Sequence, residues 1–136
     1  MKEIIAIVRM NKVGATKQAL IEAGATGFTA VKALGRGKMV EDTGVIAGRK
    51  ADLMAMANEE DVKETELLID GFLNGARLYP MRMFDIITHD YDVTKIVQTI
   101  MEVNRTTFNV GDGKIFVLPV ADAIRVRTKE AGDAAL

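Results

Sequence analysis

The sequence contains no cysteine and no serine, and it has a single histidine, His89. The missing cysteines exclude disulfides, thiolate metal sites and cysteine nucleophiles. The missing serines exclude serine-based nucleophilic catalysis, and one histidine cannot build a multi-histidine metal site within one subunit. We predict no catalytic residue and no metal site, and we interpret His89 as a surface residue at the end of a strand.

The chain also lacks a large net charge and a long apolar run. It has 18 basic and 19 acidic residues, giving a formal net charge of −1 at pH 7. This balance argues against a general binder of nucleic acids or of anionic membranes. The apolar run at residues 4–8 is too short for an export signal or a membrane span. We expect a cytoplasmic protein with no nucleic-acid partner and no membrane insertion.

Apolar periodicity predicts one domain, residues 1–136, built from two successive β-α-β units. The strands are expected at 4–8, 28–34, 83–88 and 115–120, and the helices at 13–23 and 93–103. Gly24 is expected to end the first helix, and Asp90 or Asp92 to cap the second. This order predicts an α+β, ferredoxin-like βαββαβ fold, in which a four-stranded antiparallel sheet carries both helices on one face.

Three of the predicted strands are apolar on both faces. All residues of 4–8 are apolar, and 83–88 and 115–120 also carry apolar residues at both odd-numbered and even-numbered positions. Because the helices cover only one face of the sheet, the open face needs a partner, and we expect it to be buried in a homo-oligomer. The alternative is that the C-terminal tail, about residues 121–136, folds over it.

The connection between the second and third strands, about residues 38–78, is much longer than the usual loop of a compact domain. Residues 39–49 show no clear periodicity and are predicted to be mobile. Residues 59–73 place apolar side chains at helical spacing among charged ones. They are either a helix that orders on a protein partner or a small structural helix packed on its own domain.

A Gly-Asp-Gly-Lys segment, residues 111–114, precedes the last predicted strand. Two glycines permit positive φ and close backbone approach, so that amide N–H groups can converge on an anion beside the Lys114 cation. A nucleotide phosphate would suit this turn. The alternative is an ordinary tight turn, because Asp-Gly is also a hairpin signal.

Several segments together resemble the PII signal-transduction proteins across nearly the whole chain outside the long loop. They are Met1-Lys2-Glu3-Ile4, Gly27-Phe28-Thr29, Gly35-Arg36-Gly37-Lys38, Thr107 to Val117, Ala121 to Thr128 and Asp133 to Leu136. In this comparison, residues 111–114 correspond to the B-loop of the family and the long connection to its T-loop. The resemblance implies a homotrimer that holds ATP or ADP in clefts between neighbouring subunits.

The resemblance implies roles for individual residues in nucleotide binding. They are Ile7, Thr29, Gly35, Gly37, Lys38, Gly111, Asp112, Gly113, Lys114, Arg125 and Arg127. Thr29 would hydrogen-bond on the adenine side, and the turn would cradle the phosphates. Arg125 and Arg127 would reach the same phosphates, and their spacing on a predicted extended segment would point both the same way. Their alternative role is an exposed basic strand edge.

The extended T-loop, with no tyrosine between Gly35 and Leu78, is most similar to the nitrogenase-associated branch of the family and to its longer second paralogue. That similarity implies a non-enzymatic regulator whose protein target is nitrogenase, acting alone or with a PII paralogue. Alternatives within the family are a regulator of glutamine synthetase or of an ammonium channel, with Arg49 as the loop tip. The uridylylation tyrosine of the glutamine-synthetase-linked members has no evident counterpart.

Two positions depart from the family pattern for the effector 2-oxoglutarate. Met39 stands where many members have a glutamine that ligates the Mg²⁺ accompanying ATP, and a thioether is a poor Mg²⁺ ligand. The third strand reads Pro80-Met81-Arg82 where members use a lysine for the distal carboxylate. We expect 2-oxoglutarate either to bind in another geometry, using Arg9, Lys38 or Arg82, or to depend on a paralogue.

Two further classes of function compete with this interpretation. A small nucleotide-hydrolysing enzyme would explain Asp112 and Lys114 in a phosphate turn, but the site lacks a convincing base. An RNA-binding module of similar topology would need exposed aromatic residues, and the chain has only five Phe and two Tyr.

Overall fold

The computed structural model describes residues 1–37, 78–107 and 111–136. The elements in these residues are β1 (Lys2–Arg9), α1 (Val13–Glu22), β2 (Thr29–Gly35), β3 (Tyr79–Thr88), α2 (Val93–Asn104) and β4 (Lys114–Pro119), with 3-10 turns at Met10–Lys12 and Gly132–Ala135. The sheet order is β2-β3-β1-β4. The predicted α+β, ferredoxin-like fold with a four-stranded antiparallel sheet is confirmed.

The described residues belong to two compact units. One consists of Met1–Val31 and Arg82–Leu136, and the other lies within Lys32–Met81. In the second unit, the end of β2 contacts the start of β3, and a β-carbon added to Gly35 would overlap the end of the Met81 side chain. The predicted helix at 59–73, most of the predicted T-loop, Lys38 and Met39 lie outside the described residues.

The core of the first unit follows from the alternation along its strands. Along β1, the buried side chains alternate with half-buried ones, so one face of the strand packs inward. The buried apolar residues are Ile4, Ala6, Val8, Leu20, Phe84, Ile86, Ile96 and Ile100. They come from β1, β3 and both helices, which therefore cover the same face of the sheet. Burial of each large apolar side chain contributes about 1.5–3 kcal/mol.

A buried polar contact joins the two helices inside this core. Asn104 Nδ2 donates to Thr16 Oγ1 at 3.0 Å and to the carbonyl oxygen of Ile100 at 2.9 Å. Thr16 is fully buried and Asn104 is 4% exposed. Because a buried polar group is costly without its partner, this contact favours one register of α1 against α2.

The predicted end of α1 is confirmed, whereas the predicted N-terminal cap of α2 is not. Gly24 follows α1 with φ 81°, which confirms the predicted glycine stop. Asp92, and not Asp90, occupies the N-cap position of α2, and the Asp92 side chain makes no capping hydrogen bond, so the predicted cap is wrong for both candidates. The reason is the backbone: Asp92 has helical φ and ψ of −91° and −13°, whereas a capping side chain needs an extended N-cap residue.

The face of the sheet opposite the helices carries apolar side chains. In the antiparallel register of β1 and β4, Phe116 lies opposite Ile5 and Leu118 lies opposite Glu3. Phe116 is 45% exposed and Leu118 is 38% exposed. The two-faced apolar pattern is therefore present in these strands, and its burial in a homotrimer stays a prediction. Within the described ranges, no helix is both long and apolar enough to span a membrane.

Candidate functional site

The Gly-Asp-Gly-Lys turn lies directly before β4, in the first unit. Gly111 has φ 77° and Gly113 has φ 106°, so the predicted positive φ is confirmed at both glycines. Lys114 is the first residue of β4, is exposed, and pairs with Ile7 of β1. The turn leads from α2 into β4, so it does not form a hairpin between successive strands.

Gly113 approaches β1 so closely that a side chain cannot fit. A β-carbon built on Gly113 would overlap the carbonyl oxygen of Ile7, and it would lie 3.5 Å from the α-carbon of Val8. Backbone atoms cannot move aside as the tip of a flexible side chain can. The turn therefore requires glycine here both for its φ and for its contact with β1, and this contact gives Ile7 a structural role beside the turn.

The carboxylate of Asp112 accepts hydrogen bonds from two other segments of the chain. The Thr106 amide donates to Oδ2 at 3.0 Å, and the Thr106 hydroxyl donates to Oδ1 at 2.5 Å. Arg9 Nη2 donates to the same Oδ1 at 3.2 Å, and Arg9 Nε donates to the carbonyl oxygen of Gly111 at 2.6 Å. The Arg9 and Asp112 side chains are only 16% and 28% exposed. The turn is thus attached to the end of β1 and to the segment after α2.

Two residues that hold the turn, Thr106 and Arg9, are not recognisable as its partners in the sequence. Thr106 is not among the site residues that the sequence indicates, and the predicted role of Arg9 is that of an effector ligand rather than a partner of the turn. Arg9 and Asp112 lie 103 positions apart, and no periodicity or short motif connects residues at that separation. Pairing of β1 with β4 brings them together.

The second predicted group of phosphate ligands lies in the C-terminal tail. Arg125 Nη1 donates to Glu130 Oε2 at 2.7 Å, and Arg125 Nη2 donates to the carbonyl oxygen of Leu136 at 2.9 Å. The hydroxyl of Thr128 donates to the same Glu130 oxygen at 2.7 Å. The guanidinium of Arg125 therefore already has an internal carboxylate partner.

The predicted extended geometry at Arg125 and Arg127 is wrong. Residues 126–128 form a turn, closed by the Lys129 amide, which donates to the Arg125 carbonyl at 2.8 Å. Lys129 has φ 62°, which reverses the chain so that Ile124 pairs with Ala131. Because the alternation of side chains holds only in an extended strand, spacing alone does not aim both arginines in one direction. Their shared role on the phosphates stays a prediction.

The remaining predicted ligands lie on different strands. In the first unit, Thr29 begins β2 and is exposed, and Arg82 of β3 is half-buried, with a buried Nε that has no hydrogen-bond partner in the described part of the chain. In the second unit, Gly35 ends β2 and Gly37 lies two residues beyond it. Their roles as ligands stay predictions of the resemblance.

His89 differs from its predicted surface environment. It follows the end of β3 as expected, but its side chain is only 23% exposed. The ring stacks on Tyr91 with a centroid distance of 5.1 Å, and Nδ1 lies 3.6 Å from Asp133 Oδ1. The residue thus forms part of the contact between the end of β3 and the C-terminal tail.

Comparison with known proteins gives one family over nearly the whole chain. The family model described as nitrogen regulatory protein P-II matches residues 1–130. The nitrogen fixation nifHD region GlnB-like protein 2 of Methanobacterium ivanovii is 40% identical over 136 residues, which cover 100% of this chain and 99% of the relative. The nifHD1 region GlnB-like protein 2 of Methanosarcina barkeri is 37% identical, with the same two coverages. Nitrogen regulatory protein P-II 1 of Escherichia coli strain K12 is 34% identical and covers 100% of both chains.

Proposed function

The chain belongs to the nitrogen regulatory protein P-II family, and on this basis we propose that it is an adenylate-binding, non-enzymatic regulator of nitrogenase. Members of this family are signalling regulators, so a nitrogen-regulatory signalling role follows from membership itself. The proposal adds that ATP or ADP binds at the Gly-Asp-Gly-Lys turn and that the target is reached by protein–protein contact.

The observation that carries the proposal is the backbone of the turn. Gly111 and Gly113 have positive φ, and Lys114 follows at the start of β4. Successive amides in such a turn can converge on phosphate oxygens, and the lysine adds a charge-assisted hydrogen bond. The side chain of Asp112 is held by Arg9 and Thr106, so at this residue the backbone is the part suited to a phosphate. The residues present therefore fit a nucleotide phosphate.

Arg125 and Arg127 would supply further positive charge to the same phosphates. Arg125 holds Glu130 in this structure, so a phosphate would have to replace that carboxylate. Such an exchange leaves Arg125 with the same number of charged hydrogen bonds. Arg125 therefore adds to nucleotide affinity only the difference in strength between its bonds to phosphate and its bonds to carboxylate.

Nitrogenase is proposed as the target because of the names of the relatives. Several of them are named as GlnB-like proteins of nitrogen fixation regions and match along essentially their whole length. Regulation through the long connection between β2 and β3 suits a protein target, since a loop of that length can present a large surface to a partner.

For 2-oxoglutarate, the structure supports Arg82 as the ligand of a carboxylate more than Arg9. Arg9 already donates to Gly111 and Asp112, whereas the buried Nε of Arg82 has no partner among the described residues. A carboxylate that reached Arg82 would relieve the cost of that unpaired donor. Met39 remains unsuited to holding Mg²⁺ beside ATP.

Calorimetry with ADP and ATP tests the nucleotide proposal. Lys114→Ala is expected to weaken binding by about 1.5–3 kcal/mol, the usual contribution of a hydrogen bond to a charged group. Lys17→Ala removes the same charge from an exposed position of α1 and serves as the control. Equal affinity in both variants would leave the turn as an ordinary structural turn, and nucleotide turnover by the wild type would favour the enzyme alternative.

The target is tested by co-purification from nitrogen-fixing cells, with and without added ATP and 2-oxoglutarate. We expect nitrogenase to be recovered without the effectors and to be released when both are added. If ADP and ATP bind but nitrogenase is never recovered, the protein is a nucleotide-binding regulator of another target.

A further inference from the structure

We propose that Arg9, Thr106 and Asp112 form a positioning cluster that holds the phosphate-binding turn in its receptive shape and neutralises the carboxylate within it. This inference rests on the proposed binding of nucleotide at residues 111–114. It assigns the three side chains no direct contact with the nucleotide. In this arrangement Arg9 acts through the turn and not as a ligand of the effector.

The cluster connects three separate pieces of the fold. Arg9 is the last residue of β1, Thr106 lies two residues after the end of α2, and Asp112 lies two residues before the start of β4. Four hydrogen bonds of 2.5–3.2 Å join them, including the bond from Arg9 Nε to the Gly111 carbonyl. The bond to that carbonyl restrains the peptide group that joins Gly111 to Asp112. This peptide group is part of the turn whose amides would face the anion.

The charge of Asp112 explains why a cation is needed at this point. A carboxylate within a turn that binds phosphate repels the ligand and makes the free energy of phosphate binding less favourable. Arg9 offsets this charge, and its planar fork can donate to Asp112 and to Gly111 at the same time. Both side chains are largely buried, so solvent screens the pair less than it would at an open surface.

Asp112→Asn distinguishes a positioning role of Asp112 from simple charge repulsion, because the two roles predict opposite changes in nucleotide affinity. If Asp112 acted only through its charge, its removal would tighten the binding of an anion. The cluster predicts weaker binding instead. Whichever way the Asn amide is turned, its NH₂ group faces either the Thr106 amide or Arg9, both of which are donors. We expect the Kd for ADP to rise about tenfold, which corresponds to about 1.4 kcal/mol.

Arg9→Lys supplies the second test. It keeps the positive charge, so a purely electrostatic role predicts unchanged affinity. A lysine ammonium is a point donor on a flexible stem and lacks the planar fork that serves two acceptors at once. We therefore expect an increase in the Kd for ADP of several-fold. Lys17→Gln on α1 is the control for altering a basic side chain elsewhere, and it should leave the Kd unchanged.

Thr106 offers a conservative pair of variants. Thr106→Val keeps the backbone amide bond to Asp112 and removes the hydroxyl bond, whereas Thr106→Ser retains the hydroxyl. We expect Thr106→Val to weaken ADP binding and Thr106→Ser to bind ADP with nearly the wild-type affinity. In the nucleotide-free protein, NMR should show displaced amide resonances of Gly111 and Gly113 in Asp112→Asn, Arg9→Lys and Thr106→Val, and not in Lys17→Gln.

The outcomes separate this inference from the proposed function. If wild-type protein binds neither ADP nor ATP, the nucleotide proposal itself fails. If the wild type binds ADP while Asp112→Asn binds as tightly or more tightly and Arg9→Lys is unchanged, nucleotide binding stands and the positioning cluster is refuted. Should Asp112→Asn fail to fold, Arg9→Lys and the Thr106 pair decide the question by the same measurements.

Discussion

Replacing Gly113 with alanine tests the close approach of the turn to β1. Two costs follow from the structure. At φ 106° an alanine is outside its favoured backbone regions, and residues held in such regions cost on the order of 1–3 kcal/mol. The new β-carbon would also overlap the carbonyl oxygen of Ile7, and overpacking of this kind adds about 1–3 kcal/mol.

Gly24→Ala is the matched control. Gly24 also has positive φ, 81°, but no heavy atom lies within 4 Å of the position that its β-carbon would take. This variant carries the backbone strain alone. We therefore expect Gly113→Ala to lower the free energy of unfolding by about 1–3 kcal/mol more than Gly24→Ala, because only the former must displace backbone atoms.

Urea denaturation of both variants measures this difference. The slopes of the two unfolding curves should be equal, so that the midpoints report stability alone. ADP affinity should fall in Gly113→Ala, since relief of the overlap must move the turn, and should be retained in Gly24→Ala. If the two variants are equally stable to within about 0.5 kcal/mol, the contact between Gly113 and Ile7 does not persist in solution and this reasoning fails.

Three further changes test other parts of the molecule. Phe116→Glu places a charge on the open face of the sheet, where Phe116 is 45% exposed; light scattering should show a trimer for the wild type and a smaller mass for the variant, and a monomeric wild type would contradict the predicted assembly. Glu130→Gln removes the carboxylate partner of Arg125, so calorimetry should show several-fold tighter ADP binding, and weaker binding would mean that Glu130 supports the site. Deleting residues 59–73 should abolish nitrogenase inhibition in an activity assay while ADP binding remains, and a deletion variant that still inhibits would place the docking surface elsewhere.

Local patterns predicted most of the secondary structure. The apolar run at 4–8 lies within β1, and the helical stripe at 93–103 lies within α2, which ends one residue later. Gly24 ends α1 because a positive φ is inexpensive only for glycine. These features depend on residues a few positions apart, so they can be recognised in the sequence without knowledge of the fold.

Two of the incorrect local predictions share a physical cause. The capping role of Asp92 and the parallel aim of Arg125 and Arg127 both assumed a backbone conformation at the residue concerned. Asp92 instead has helical dihedral angles, and residues 126–128 turn back through Lys129 at φ 62°. Residue types permit several conformations at such positions, and the surrounding contacts select among them.

The sequence by itself determined the fold class, the family and the glycine-containing turn at residues 111–114, because each is encoded in periodicity or in a contiguous motif. Only the tertiary structure decided how that turn is held. The register of β1 and β4 sets Ile7 opposite Lys114, which brings the backbone of Gly113 against β1 and the side chain of Arg9 onto Asp112. Contacts over about a hundred residues arise from strand pairing, whose register is chosen by the burial of the whole sheet rather than by any short segment.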